Sequence, residues 1–241
     1  VFRKRPGALG AGTMKRRLIA LLLISIGLFS GCAWFGKDNK EKPAQELIQE
    51  GVDDYEKGNY SNAIKSFEQL KDWYPFSKYA ILAELKIADA HYQLAQYAEA
   101  VQAYEEFEQL HPRNEAVAYV IYQTGRCYYD QISSIDRDQT SAQKALEIFQ
   151  RLVRQHPQDP YAHQSLPHIT KCLQNLAGHE FYVGQFYYRT KHYQAALKRF
   201  MTVINNYPDV GMHFQALKYV VQCEALVHQS TLAQQSVGKK K

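Results

Sequence analysis

Four times along this chain a small residue is followed one helical turn later by an aromatic ring and then, past the end of the helix, by a proline. The four copies are Ala63-x3-Phe67-x7-Pro75, Ala100-x3-Tyr104-x7-Pro112, Ala145-x3-Phe149-x7-Pro157 and Ala196-x3-Phe200-x7-Pro208. A spacing of four places alanine and ring on one helix face. Proline lacks an N–H and its ring clashes with the preceding turn, so it ends the helix. Each beat therefore reads as the second helix (B) of a helix–turn–helix unit, and the chain as a stack of such units. The alanines are small because helices A and B approach closely there. Tyr60, Tyr97 and Tyr193 each stand three residues before a beat alanine, where a ring can cover the joint between helices. Such stacks present extended binding surfaces, and nothing in this pattern points to catalysis.

Taken in order, helix 1A is expected over about Ala44 to Lys57, stopped by Gly58-Asn59, and helix 1B over Ser61 to Trp73. Helices 2A and 2B follow at about Lys78 to Leu94 and Ala98 to Leu110. Helix 3A, about Glu115 to Gln131, leads into an insertion, Ile132 to Thr140, before helix 3B at Ser141 to Gln155. Helix 4A is long, about Tyr161 to Thr190, and Pro167 within it predicts a kink or a second segment. Helix 4B spans Gln194 to Asn206, and a last helix, about Met212 to Leu232, caps the stack without a partner. The fold is thus all-α, a solenoid of about five units with the last one incomplete, over residues 44–232. Residues 233–241 are expected to be disordered. The Pro-to-Pro intervals of 37, 45 and 51 residues record the insertion and the lengthened helix 4A. Gly184 is assigned to the close-contact position of helix A that Gly51 and Ala88 occupy in units 1 and 2.

The N-terminus carries an address. From Met14, taken as the true start, a basic Lys-Arg-Arg precedes an apolar run from Leu18 to Phe29 and then Ser30-Gly31-Cys32. That run is too short for a bilayer span of roughly 20 residues, so residues 1–31 read as a signal peptide. Leu28 to Cys32 resembles the bacterial lipobox, with Phe29 where leucine is commoner. The resemblance implies that Cys32 becomes the acylated first residue of the mature protein, and Ala33 after it implies sorting to the outer membrane. Residues 32–43 then form the lipidated cysteine and its tether; residues 33–43 reach at most roughly 40 Å when fully extended. The net charge of +5 does not mark a polyanion binder. Six basic residues and no acid lie within residues 1–31, and the remainder carries 23 basic and 24 acidic residues. No nucleic-acid partner is expected.

Gly51, Gly58, Tyr60, Ala63, Phe67 and Pro75 match the signature positions of the tetratricopeptide repeat (TPR), whose period is about 34 residues. A finer resemblance rests on Tyr74-Pro75-Phe76-Ser77 with Tyr79-Ala80, His111-Pro112, Asp136-Arg137-Asp138-Gln139, Arg151-Leu152-Val153, Leu176-Ala177-Gly178-His179-Glu180 and Tyr207-Pro208-Asp209. In this order they resemble the BamD family of outer-membrane assembly lipoproteins, over roughly residues 28–226. The resemblance implies a scaffold subunit of the machinery that inserts β-barrel proteins into the outer membrane. It would dock on periplasmic domains of a BamA-like barrel subunit, bind other lipoproteins of the complex and help receive unfolded barrel precursors. Arg199 matches a family arginine on the BamA-facing side; from the residues alone it would be a solvated arginine on an outer helix face. The repeats by themselves would equally suit an adaptor for a protease or for cell-wall enzymes, and the Tyr74–Ser77 and Asp136–Gln139 matches decide against that. Tyrosines on the A helices, Tyr55 and Tyr92 foremost with Tyr122 and Tyr187, are candidates for an aromatic groove. In units 1 and 2 that groove would accept the aromatic C-terminal strand of a barrel precursor.

Chemistry is sparse. His179-Glu180-x-x-Val183 lacks the second histidine of a zinc motif. His163 and His168 do not share a helix face. His111 and His156 replace the tyrosines that precede Pro75 and Pro208 and read as packing rings. There is no Gly-rich phosphate loop and no Gly-x-Ser-x-Gly elbow, so no cofactor, metal or enzymatic activity is expected. Cys127, Cys172 and Cys223 read as small buried residues, with room for at most one disulfide.

Overall fold

Every expected helix forms, and each packs on its neighbour in sequence. The structure, a computed structural model, describes residues 41–208 and 210–238; the signal segment, Cys32, most of the tether and residues 239–241 lie outside the described residues. The helices are α1 Ala44–Glu56, α2 Tyr60–Trp73, α3 Ala80–Gln93, α4 Tyr97–Leu110, α5 Val117–Tyr129, α6 Thr140–Gln155, α7 Pro160–Arg189, α8 Tyr193–Asn206 and α9 His213–Gly238. They belong to one unit that begins at Ala44. Odd-numbered helices are the A helices and even-numbered ones the B helices, and α5 also touches α7 directly.

The beat residues build the core. Ala63, Ala100, Ala145 and Ala196 are fully buried, as are Phe67, Tyr104, Phe149 and Phe200. Each ring presses on the A helix of its own unit at a residue with little or no side chain. A Cβ added at Gly51 would lie 2.3 Å from Phe67, at Gly125 2.6 Å from Phe149, and at Gly184 2.8 Å from Phe200. In unit 2 the fully buried Ala88 shares a cluster with Tyr104. Gly184 therefore fills the assigned position, and Gly125 is its counterpart in unit 3. Four apolar clusters follow one another along the chain, around Phe67, Tyr104, Phe149 and Phe200.

Turns repeat with the same regularity. Gly58, Ala95 and Lys191 all close an A-to-B turn with positive φ, at 78°, 55° and 64°. At the other end, Tyr74, His111, His156 and Tyr207 cap the B helices in one common conformation. Each donates its backbone N–H to the carbonyl four residues back. His111 does pack as a ring, 5.0 Å from Phe107, but its Nε2 also lies 2.7 Å from a Glu84 carboxylate oxygen.

Three expectations change. Pro167 does not divide α7, which is one helix through it. Ala162 and Cys172, on either side of it, are buried in the same cluster, and that packing outweighs one lost backbone hydrogen bond. The A helices of units 2 and 3 begin later than expected, at Ala80 and Val117, because side-chain turns precede them. The Ser77 hydroxyl accepts from the Tyr79 N–H at 3.2 Å and the Asn114 side chain from the Ala116 N–H at 2.9 Å. Finally, α9 runs on to Gly238, past the Leu232 end and into the stretch expected to be disordered.

Candidate partner-binding surface

The A helices of the first three units meet through a polar network centred on a buried acid. Asp89 of α3 is only 4% exposed. Its Oδ1 accepts hydrogen bonds from the Tyr104 hydroxyl at 2.8 Å and the Tyr119 hydroxyl at 2.7 Å, and Lys86 Nζ lies 3.0 Å from Oδ2. A buried carboxylate is costly unless paired and hydrogen-bonded, and here both conditions are met. Lys86 also sits over the Tyr55 ring, 4.9 Å from its centroid. Burial first, and the Asp89 charge second, push the Tyr55 phenol up to about 12. The same two causes raise Tyr104 and Tyr119 further. Tyr119 then meets the Tyr161 ring of α7 edge-on at 5.2 Å. Half-buried rings from three A helices, Tyr55, Tyr119 and Tyr161, thus line up past the Lys86–Asp89 pair of α3, with Tyr55 at the N-terminal end. Asp89 was not singled out from the sequence. The signal was there: a lone acid between Ala88 and Ala90, one turn after Leu85 and one turn before Tyr92 on the same helix face.

Tyr92 is half-buried and already engaged. Its hydroxyl donates to Asp130 and accepts from Arg126 Nη2 at 3.0 Å, and its ring meets Tyr97 edge-on at 5.9 Å. Arg126 Nε is buried without a hydrogen-bond partner. Tyr122 is core: 8% exposed, ringed by Phe149 and Tyr161, with its hydroxyl 3.2 Å from His168 Nε2. Tyr187 stands half-buried between Phe186 and His192. Of the four tyrosines, Tyr55 and Tyr92 lie on the side of this row of rings in units 1 and 2. Both rings are half-buried, and the Tyr92 hydroxyl is occupied.

The second candidate region lies in unit 4. Arg199 of α8 places Nη1 3.1 Å and 2.9 Å from the two carboxylate oxygens of Glu180 on α7. It is pinned rather than freely solvated, with 42% of its side chain exposed against 18% for Glu180. The insertion between α5 and α6 is fastened beside this pair. Asn175 donates to the buried Gln139 at 2.6 Å, His179 Nδ1 lies 2.6 Å from the Ile135 carbonyl, and Ile135 covers Gly178. A polar cleft of about 250 Å3 remains between loop and helix, lined by Arg137, Asp138, His179, Glu180 and Tyr207 among others. Burial, then Glu180, raises the Tyr207 phenol. His179 and Glu180, the start of the incomplete zinc motif, are thus both committed to protein partners. Arg151 proves structural: both its terminal nitrogens bind the Glu108 carboxylate and tie α6 to α4.

Among the described residues, no group of histidine, cysteine, aspartate and glutamate side chains is placed to hold a metal ion, and no helix is long and apolar enough to cross a membrane. Cys127, Cys172 and Cys223 are buried free thiols, and burial raises the first to about 12 and the second to about 11.

Comparison with known proteins places these features in a family. Residues 40–238 match the YfiO model, described as outer membrane lipoprotein. A protein of Caulobacter vibrioides named outer membrane protein assembly factor BamD is 30% identical over 228 residues, covering 92% of this chain and 71% of the relative. Its namesake in Rickettsia prowazekii is 32% identical over 208 residues, covering 86% of this chain and 82% of the relative.

Proposed function

Because the chain belongs to the YfiO family of outer membrane lipoproteins, whose relatives bear the name outer membrane protein assembly factor BamD, we propose that it is a scaffold subunit of the β-barrel assembly machinery. It is held at the periplasmic face of the outer membrane by lipid on Cys32. It works by holding other proteins and carries out no catalysis.

The observation that carries this reading is the use of the polar groups. Asp89, Tyr92, Arg126, His179 and Glu180 are each paired within the fold. What faces outward is a run of rings across the A helices in units 1 to 3 and a cleft beside Arg199 in unit 4. We read the C-terminal region, with Arg199, as the dock for the barrel-forming, BamA-like subunit and for further lipoproteins of the complex. The rings of Tyr55 and Tyr92 we read as the groove that receives the aromatic C-terminal strand of unfolded outer-membrane proteins. A ring supplies contact area at little entropic cost, and recognition there would run through ring faces rather than the occupied Tyr92 hydroxyl.

Extraction of the intact protein from membranes with detergent should bring down a barrel-forming outer-membrane protein in stoichiometric amount. Recovery of a periplasmic protease or cell-wall enzymes in its place would favour the adaptor reading. For the groove, a photocrosslinker at Tyr92 should capture barrel-precursor peptides. Capture at Gln102, on the B helix of the same unit, but never at Tyr92 would remove the groove.

A further inference from the structure

Among the described residues, the three most exposed large hydrophobic side chains are Phe76 at 101%, Phe214 at 80% and Leu110 at 66%. All three lie where a B helix gives way to the next A helix. Phe76 is the tip of the α2–α3 connection, Leu110 ends α4, and Phe214 stands in the first turn of α9.

This is also the edge at which the chain enters the fold. The α1–α2 pair is closed at Gly58, so its open ends, Ala44 and Trp73, lie together. Leu47 and Ile48 of the first turn of α1 share a core cluster against which Trp73, Tyr74 and Tyr79 pack. The chain therefore enters the fold, at Ala44, beside the Phe76 loop.

We infer that Phe76 inserts into the acyl–headgroup boundary of the membrane that holds the Cys32 lipid, giving the protein a second membrane contact and fixing which edge of the stack faces the bilayer. A scattered exposed apolar residue needs no explanation, but a phenylalanine with no contact at a loop tip, beside the point of tethering, is a different case. A single fully exposed ring offers a protein partner little complementary surface. The boundary of a bilayer accepts a lone ring without a shaped socket. The tether keeps the local concentration of membrane high, so a weak contact suffices. In the sequence flanking the loop Lys71 and Lys78 are offset by Glu68 and Asp72, so the contact is apolar and not electrostatic.

The inference rests on the Cys32 anchor, and the test separates the two. The full acylated chain is reconstituted in vesicles of phosphatidylethanolamine and phosphatidylglycerol, with an environment-sensitive dye on Phe76→Cys or, at the opposite edge, on Lys57→Cys. The expected result is a blue shift and loss of fluorescence to spin-labelled lipid at position 76, unchanged in high salt, with neither effect at position 57. An acylated chain whose two positions are quenched alike overturns this inference and leaves the anchor standing. So does a dye at position 76 that is shielded only after a BamA-like subunit is added, which would make Phe76 a protein contact. A mature N-terminus free of acyl chains in the mass spectrum removes both.

Discussion

At the scale of single residues, the tightest constraint is the absence of a side chain opposite each beat ring. Gly51→Ala puts a Cβ 2.3 Å from a Phe67 ring that is itself fully buried, so the ring must shift within a packed core. A loss of about 1–3 kcal/mol is expected, read as a lower urea midpoint. Gly178→Ala also meets a close neighbour, Ile135 at 2.9 Å, but that side chain sits on a loop and can yield, so the loss should be smaller. Equal losses would show that the loop is as rigid as the core. Arg199→Glu should weaken recovery of the barrel subunit while the helical circular dichroism holds. The exposed ion pair itself contributes only about 0.2–1 kcal/mol. Adding Glu180→Arg rebuilds an intramolecular pair. If partner recovery returns with it, Arg199 acts through the ion pair that ties α8 to α7 and not by touching the partner.

At the scale of elements, the joint between units 3 and 4 depends on pH. His168 of α7 packs among Tyr122, Tyr129 and Phe149. Burial, then the Arg126 charge, lowers its pKa below 6.5, against a smaller opposing effect of Asp130. The unfolded chain takes up the proton at the ordinary value and the folded one resists it. The stabilisation is therefore present above about pH 6.5 and lost as pH falls below it. The midpoint of unfolding should drop over that range, and the drop should be smaller in His168→Phe. A variant with the wild-type pH profile would assign the dependence to another group. The elements themselves were legible in the sequence because helix periodicity, alanine–aromatic spacing and proline stops all pointed the same way. Their starts were less so. Ser77 and Asn114 build short side-chain turns that hold α3 and α5 back by a few residues, and such turns compete locally with the helix. Pro167 misleads from sequence because its cost is local, whereas the packing that overrides it comes from α5 and α6.

At the scale of the molecule, a stack in which each unit touches its neighbours unfolds from its ends. The last unit depends on α9, where Tyr219 stacks on Phe200 at 4.6 Å and Ala216, Val220 and Cys223 are buried. Truncation before His213 should expose that face and raise amide exchange in α8 and the second half of α7, while α1 to α4 keep their protection. Loss of protection throughout would mean that the stack folds as a single cooperative unit. The partner-binding reading belongs to this scale as well. Tyr55, Lys86, Asp89 and Tyr119 come from three helices, and only the stacking of units brings them together.

The sequence by itself determined the repeat, its four ring-bearing joints and the inserted loop. Each of these is a short-range pattern, a spacing of a few residues with one physical meaning. The tertiary structure decided which polar groups remain available. Tyr92 and Tyr122 look alike as A-helix tyrosines, yet one is tied to Asp130 and Arg126 and the other is sealed in the core beside His168. Asp89 and Glu180 draw their partners from other helices, across sequence distances that no local pattern encodes. The same holds for Phe76. In the chain it is one apolar residue after a proline, and only the folded edge, with Ala44 beside Trp73, gives its exposure a direction.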